Sequence, residues 1–221
     1  MLKPQTTPTL IADALRDDIS RGVLQPGAAL RQEALAARFA VSRIPIRDAL
    51  QKLESEGIVT LVPNRGAYVA TLTIVEVQEI FYLRQLVEVD LIGQAVPLLD
   101  ATALQTIRES AKLAEQLSSK PDWLMGDRAF HQALYLPANR PRQLELAMSL
   151  RSEVERYEAI YRKLPKNRLD WTREHAGLLD ACARGDVTAA RSQLSAHLDH
   201  AAAFLIEQIV EQDPLQSRAG R

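Results

Sequence analysis

Apolar positions recur every three or four residues through Leu10, Ile11, Ala14, Leu15 and Ile19 and stop near Gly22, so the spacing predicts a first helix closed by a Pro26-Gly27 turn. A short second helix is expected over residues 31–39 through Ala34, Leu35 and Phe39. Ala40-Val41 then makes a tight connection to Ser42, a residue type suited to cap a helix start. The third helix runs from there to Glu56 on an apolar stripe of Ile46, Ala49, Leu50 and Leu53, with Gly57 as terminator. Pro45 falls in its first turn, where a missing amide costs little. Residues 58–62 and 67–70 are β-prone runs around Pro63-Asn64-Arg65-Gly66, which is hairpin chemistry. Three helices and a hairpin make a winged helix-turn-helix.

After Thr71 the period is helical throughout, over approximately residues 74–96, 102–117, 122–136, 141–164, 169–184 and 187–212, with short Pro, Gly or Asn breaks between them. The expected fold class is mainly α: an N-terminal winged helix-turn-helix domain followed by an all-α antiparallel helical bundle. The boundaries are a DNA-binding domain and linker over residues 1–73, a helical effector-binding and dimerisation domain over 74–213, and a disordered tail over 214–221. The Thr71-Leu72-Thr73 stretch is the expected joint.

Composition narrows the class without naming it. With 47% hydrophobic and 25% charged residues in 221, the chain reads as an ordinary soluble globular protein with room for one large or two modest cores. A single cysteine, Cys182, excludes an internal disulfide and a multi-cysteine zinc cluster. No apolar run approaches the roughly 20 residues of a membrane span, and residues 1–8 lack the apolar core of a signal peptide. A cytoplasmic location follows as an expectation. Net charge is −1, with nine basic against seven acidic residues before position 71 and eighteen against twenty-one after it. That asymmetry is mild, and DNA affinity depends on where positive groups face.

Arg43, Arg47 and Gln51 stand four residues apart, on the face of the third helix opposite its apolar stripe and free to enter a major groove. Either arginine can read guanine bidentately while the other holds phosphate. Ser42 at the helix start suits a phosphate, and Arg65-Gly66 at the hairpin tip suits the minor groove or backbone. The whole pattern, Leu30-Arg31-Gln32-Glu33-Ala34-Leu35-Ala36, Val41-Ser42-Arg43-Ile44-Pro45-Ile46-Arg47-Asp48-Ala49-Leu50, Leu53-Glu54-Ser55-Glu56-Gly57-Ile58-Val59 and Pro63-Asn64-Arg65-Gly66-Ala67-Tyr68-Val69, closely resembles the N-terminal domain of GntR-family transcriptional regulators. The resemblance implies DNA contacts from Arg31, Ser42, Arg43, Arg47, Gln51, Arg65 and Gly66. It departs from the family at Glu33, where such regulators often carry an arginine, with Arg31 two positions earlier.

In the second half, Asp127 and His131 are spaced i, i+4 and can share a metal, while His175 precedes Leu178-Leu179 and His197 accompanies Leu194 and Leu198. Those apolar neighbours place three imidazoles toward a bundle interior. Asp127-Arg128-Ala129-Phe130-His131, the Ala138-Asn139-Arg140-Pro141 break, Glu174-His175-Ala176-Gly177-Leu178-Leu179-Asp180-Ala181 with Arg184-Gly185-Asp186, and Ala196-His197-Leu198 resemble the effector-binding FCD domain of the FadR subfamily of GntR regulators. The resemblance implies that Asp127, His131, His175 and His197 hold a divalent ion, zinc foremost and nickel or manganese as alternatives. His200 falls outside that pattern and reads as a surface residue or one that supports a ligand without touching the ion. Four protein ligands leave one or two coordination sites for a small carboxylate or water. Arg84, where the family commonly has an arginine facing the pocket, and Arg151 are the candidate carboxylate clamps, each with a surface ion pair to a neighbouring glutamate as its rival reading.

The function expected is a ligand-responsive regulator, typically a repressor, that binds a palindromic double-stranded DNA operator as a homodimer and whose affinity a small organic acid modulates at the metal-containing pocket. The alternatives are a regulator with the ion itself as effector and a metalloenzyme. The second of these lacks a spare general base beside the ligands.

Overall fold

A computed structural model describes residues 6–118, 120, 123–160 and 168–212. Its contacts separate a front unit over Met1–Leu72 from a second unit that begins at Thr73.

In the front unit α1 (Thr7–Ser20) starts with Pro8 in its first turn and buries Ile11, Ala12, Leu15 and Ile19. It packs on α3 (Arg43–Ser55), whose buried face is the expected Ile46, Ala49, Leu50 and Leu53. Arg16 of α1 also grips the Glu56 carboxylate with two guanidinium nitrogens, at 2.7 and 3.1 Å. Between these helices lies α2 (Gln32–Phe39), which ends on Ala40 in the left-handed conformation, φ 52°. The Val41 amide bonds back to the Ala36 carbonyl at 3.1 Å, so backbone geometry sets the turn. Ser42 stands at the cap position of α3 as expected, but its side chain makes no capping hydrogen bond and the residue is exposed.

The wing has one strand more than the hairpin predicted. β1 (Ala29–Leu30) pairs with β3 (Gly66–Val69), which pairs with β2 (Val59–Val62), all antiparallel, in the order β1-β3-β2. A two-residue strand has no period to read; its partners Ala67 and Tyr68 define it. Because the strand occupies Leu30, Arg31 precedes α2 as its cap residue. Val62 faces Gly66 across the wing tip, where Asn64 at φ 61° and Gly66 at φ 107° accept the positive angles the turn requires.

In the second unit α4 (Ile74–Ala95) opens with a capping box: the Thr73 hydroxyl accepts from the Glu76 amide at 3.2 Å, and the Thr73 amide donates to the Glu76 carboxylate at 2.8 Å. Thr73 is thus part of a helix start, and Leu72 before it is buried. A 3-10 turn over Val96–Leu98, containing Pro97, closes α4 one residue earlier than the periodicity predicts. Asp100 caps α5 (Ala101–Leu117) by accepting from the Ala103 amide at 2.7 Å. α6 (Trp123–Tyr135) ends in a second 3-10 turn, Leu136–Ala138. Then come α7 (Pro141–Ile160), α8 (Arg168–Ala183) and α9 (Val187–Gln212). The expected helix start at Asp122, the end at Leu164 and the 214–221 tail lie outside the described residues.

α5 packs along α6, α4 along α9, and α8 on both α5 and α9. The core they enclose contains Leu91, Ile92, Phe130, Leu134, Tyr135, Leu178, Leu194 and Leu198. Gly126 fixes how closely α5 and α6 approach, since a Cβ there would lie 2.7 Å from the Ala114 Cα. The next residue on α6 is Asp127, so that close approach sets the height at which the first candidate ligand enters the interior.

Candidate nucleic-acid interface and metal centre

The exposed face of α3 carries Arg43, Arg47 and Gln51, as the spacing predicts, and Arg65 and Gly66 are exposed at the wing tip. Arg31 is exposed at the start of α2. Arg43 is not idle: it donates to the Glu33 carboxylate at 2.6 Å, so the residue that departs from the family pattern is also the partner of a predicted base reader. Both side chains are largely exposed, and such a pair contributes only about 0–1 kcal/mol. A phosphate can therefore displace Glu33 at little cost.

The four candidate ligands converge from three helices. α6 supplies Asp127 and His131, α8 His175 and α9 His197, and one donor atom from each lies within 4.8 Å of the others. Oδ1 of Asp127 stands 3.6 Å from His131 Nε2 and 3.2 Å from His175 Nε2. The imidazoles are buried, and neither of those two nitrogens has a hydrogen-bond partner among the described residues. An orphaned buried ring nitrogen costs about 1–3 kcal/mol, and here two of them face a common carboxylate oxygen. Donors drawn to one ion at ligand distances of about 2.0–2.2 Å would occupy such positions after small side-chain shifts. The donor set therefore fits a divalent cation.

The surrounding groups prepare those nitrogens. His131 Nδ1 lies 3.1 Å from the Tyr135 oxygen, whose proton is donated to Glu88 Oε2 at 2.6 Å. Burial and the neighbouring Glu88 carboxylate push the tyrosine pKa well up, so it keeps its proton. Its oxygen then accepts the Nδ1 proton of His131, which leaves Nε2 with a free lone pair. On the other side His197 Nδ1 lies 2.6 Å from the Glu174 carboxylate, an acceptor only, so Nδ1 carries the proton there too. Burial and then Arg151 depress the His131 pKa well below the usual imidazole range; burial also lowers that of His197, against the opposing pull of Glu174. Both are neutral at pH 7, the form that binds metal. Burial alone would raise Asp127, but Arg151 beside it holds the carboxyl well below its ordinary range.

Glu88 is the residue that sequence reasoning missed. Fully buried on α4, it accepts from Arg84 Nε at 2.7 Å and from Arg151 Nη1 at 3.0 Å, and Arg151 also donates to Asp127. Burial would raise this carboxyl, yet the two guanidinium groups overcome it and hold its pKa at about 2. The predicted clamps Arg84 and Arg151 are thus engaged by carboxylates of the chain, in a buried network instead of on the surface. Two guanidinium groups and two carboxylates leave it formally neutral. A legible signal existed: Val77, Phe81, Arg84, Glu88, Leu91 and Ala95 step by four and three along the buried face of α4, with the charged pair inside an apolar heptad stripe. Glu174, the other supporting carboxylate, sits beside His175 and also accepts from exposed His200 at 2.7 Å.

A cavity of about 390 Å³ lies among α5, α6 and α8, with Asp127 and His175 in its lining. Trp123 and Trp171 form its aromatic wall, ring centroids 5.1 Å apart.

Residues 9–69 match the model of bacterial regulatory proteins of the gntR family, and residues 79–200 match the FCD domain. The chain belongs to the GntR family and carries an FCD domain. It is 26% identical over 189 residues to the HTH-type transcriptional repressor RspR of Escherichia coli K12, covering 83% of this chain and 82% of that one. It is 31% identical over 159 residues to the gluconate operon transcriptional repressor of Bacillus licheniformis, covering 71% and 65%. Among solved structures, a GntR transcriptional regulator from Rhodococcus sp. RHA1 superposes with a TM-score of 0.66 at 28% identity, over 90% of this chain and 97% of that one. These proteins are transcriptional regulators, and the chain is a GntR-family regulator, not an enzyme. Among the described residues no helix is long and apolar enough to cross a membrane.

Proposed function

We propose that this GntR-family protein is a cytoplasmic repressor that binds a palindromic operator as a homodimer and that a small carboxylate effector tunes its grip on DNA through a metal-containing pocket. The observation that carries the reading is a single chain joining an exposed Arg43/Arg47/Gln51 helix face to a buried Asp127/His131/His175/His197 cluster with two orphaned imidazole nitrogens. Arg47 and Gln51 suit base edges; Arg31, Ser42, Arg43, Arg65 and the Gly66 backbone suit phosphates and the adjoining minor groove. The relatives named as repressors, one of them of a gluconate operon, support both the sign of regulation and an organic acid as effector.

The four ligands would hold zinc, nickel or manganese, which when bound supplies a positive centre that attracts carboxylates. Arg151 orients Asp127, Tyr135 orients His131, and Glu174 orients His197. Homodimerisation is supported by an apolar stripe on the outer side of α4, where Val75, Tyr82, Leu83 and Leu86 are exposed, and a second copy is the natural cover for it. Operator and effector binding are then linked reciprocally.

The test is a mobility-shift titration of the operator with zinc-loaded protein, with and without candidate acids. Altered affinity on adding an acid, abolished in His175→Ala, is the expected result; indifference to both metal and acid would remove the effector half of the proposal. A response to zinc, nickel or manganese alone would favour the ion itself as effector, a second reading that the two orphaned nitrogens also allow.

A further inference from the structure

The cavity beside the metal cluster has an outer end whose chemistry differs from its inner end. Arg108 and Lys112, one turn apart on α5, line it together with Glu115, and both cations are exposed. Neither makes an ion pair or hydrogen bond among the described residues. Both arginines of the buried network, by contrast, are already held by carboxylates: Arg84 by Glu88, Arg151 by Glu88 and Asp127. The unengaged positive groups at this cavity are therefore on its rim.

We infer that the effector carries two anionic groups, one directed to the Asp127/His175 end and the second held at the rim by Arg108 and Lys112, with its apolar middle against Trp123 and Trp171. The inference rests on the metal reading above and adds the charge and reach of the ligand to it. The volume of about 390 Å³ lies at the small end of the range for ligand sites, which suits a short dicarboxylate or a phosphorylated small acid.

Both tryptophans of the chain line the cavity, so its filling is read directly from intrinsic fluorescence. Full-length zinc-loaded protein is titrated with matched pairs of equal carbon number, succinate against butyrate and adipate against hexanoate. The expected result is at least about tenfold tighter binding of the two-charge member of a pair, the ratio given by one charged hydrogen bond. In the double variant Arg108→Gln with Lys112→Gln that advantage disappears while the one-charge acids bind as before. Circular dichroism checks that these exposed substitutions leave the fold intact. Equal binding of the two classes by the wild type, binding of neither, or an advantage that survives in the double variant overturns the inference. Zinc stoichiometry on the same samples reports the metal reading separately. A protein that takes no zinc contradicts that reading, and the same paired titration on the zinc-free chain then decides the rim alone.

Discussion

Arg43 and Arg151 each sit against carboxylates, yet their surroundings give them opposite roles. The Arg43–Glu33 pair is open to water, holds little energy and can be exchanged for a DNA phosphate. Arg151 is buried between Glu88 and Asp127, where breaking the pair leaves charge with no solvent to receive it. Arg43 thus stays available to DNA, whereas Arg84 and Arg151 hold two carboxylates ionised in the interior. An arginine count cannot distinguish the two; burial does.

Loss of Glu88 has the largest expected effect. Glu88→Ala should destabilise the second unit by about 3–5 kcal/mol, because Arg84 and Arg151 are left buried without a counter-charge. Calorimetric melting checks this, and Glu88→Gln, which keeps the shape, should cost less. Next in size is loss of a ligand: His131→Ala should lower zinc affinity by about two orders of magnitude. Glu174→Ala, which only frees the His197 ring, should lower it about 10–100-fold. Competition against a chelating dye measures both. On the exposed side Arg47→Ala should weaken operator binding by about 1–3 kcal/mol in a mobility-shift assay, with unfolding unchanged within about 0.5 kcal/mol. Arg151 could not be removed so harmlessly.

The buried carboxylate also leaves a pH signature. Glu88 titrates near 2 in the folded protein against an ordinary 4.5, so the unfolded chain binds its proton first as pH falls. Its contribution to stability is present above about 4.5 and is lost as pH drops from there toward 2. Acid unfolding curves should show that segment in the wild type and flatten in Glu88→Gln.

The helices were legible wherever a long apolar period ran uninterrupted, and α9 matches its expected limits. β1 was not, because two residues become a strand only by pairing with Ala67 and Tyr68. Asp127 and His131 advertise themselves by i, i+4 spacing, but His175 and His197 are separated from them by whole helices, and resemblance to a family linked them. Glu88 escaped because an Arg-x-x-x-Glu pair on a helix reads as a solvated face until its position in the Val77-to-Ala95 stripe is traced. Arg108 and Lys112 carry no pattern at all; only the cavity that α5, α6 and α8 form together gives them a role.

The most direct measurement is operator affinity of the full-length protein as a function of succinate, in parallel for zinc-loaded wild type and His175→Ala. The expected result is an operator Kd that changes severalfold with the acid in the wild type and stays flat in the variant, with DNA binding in its absence preserved in both. Identical curves for the two proteins, whether responsive or flat, would contradict a metal cluster that communicates with the DNA-binding helix.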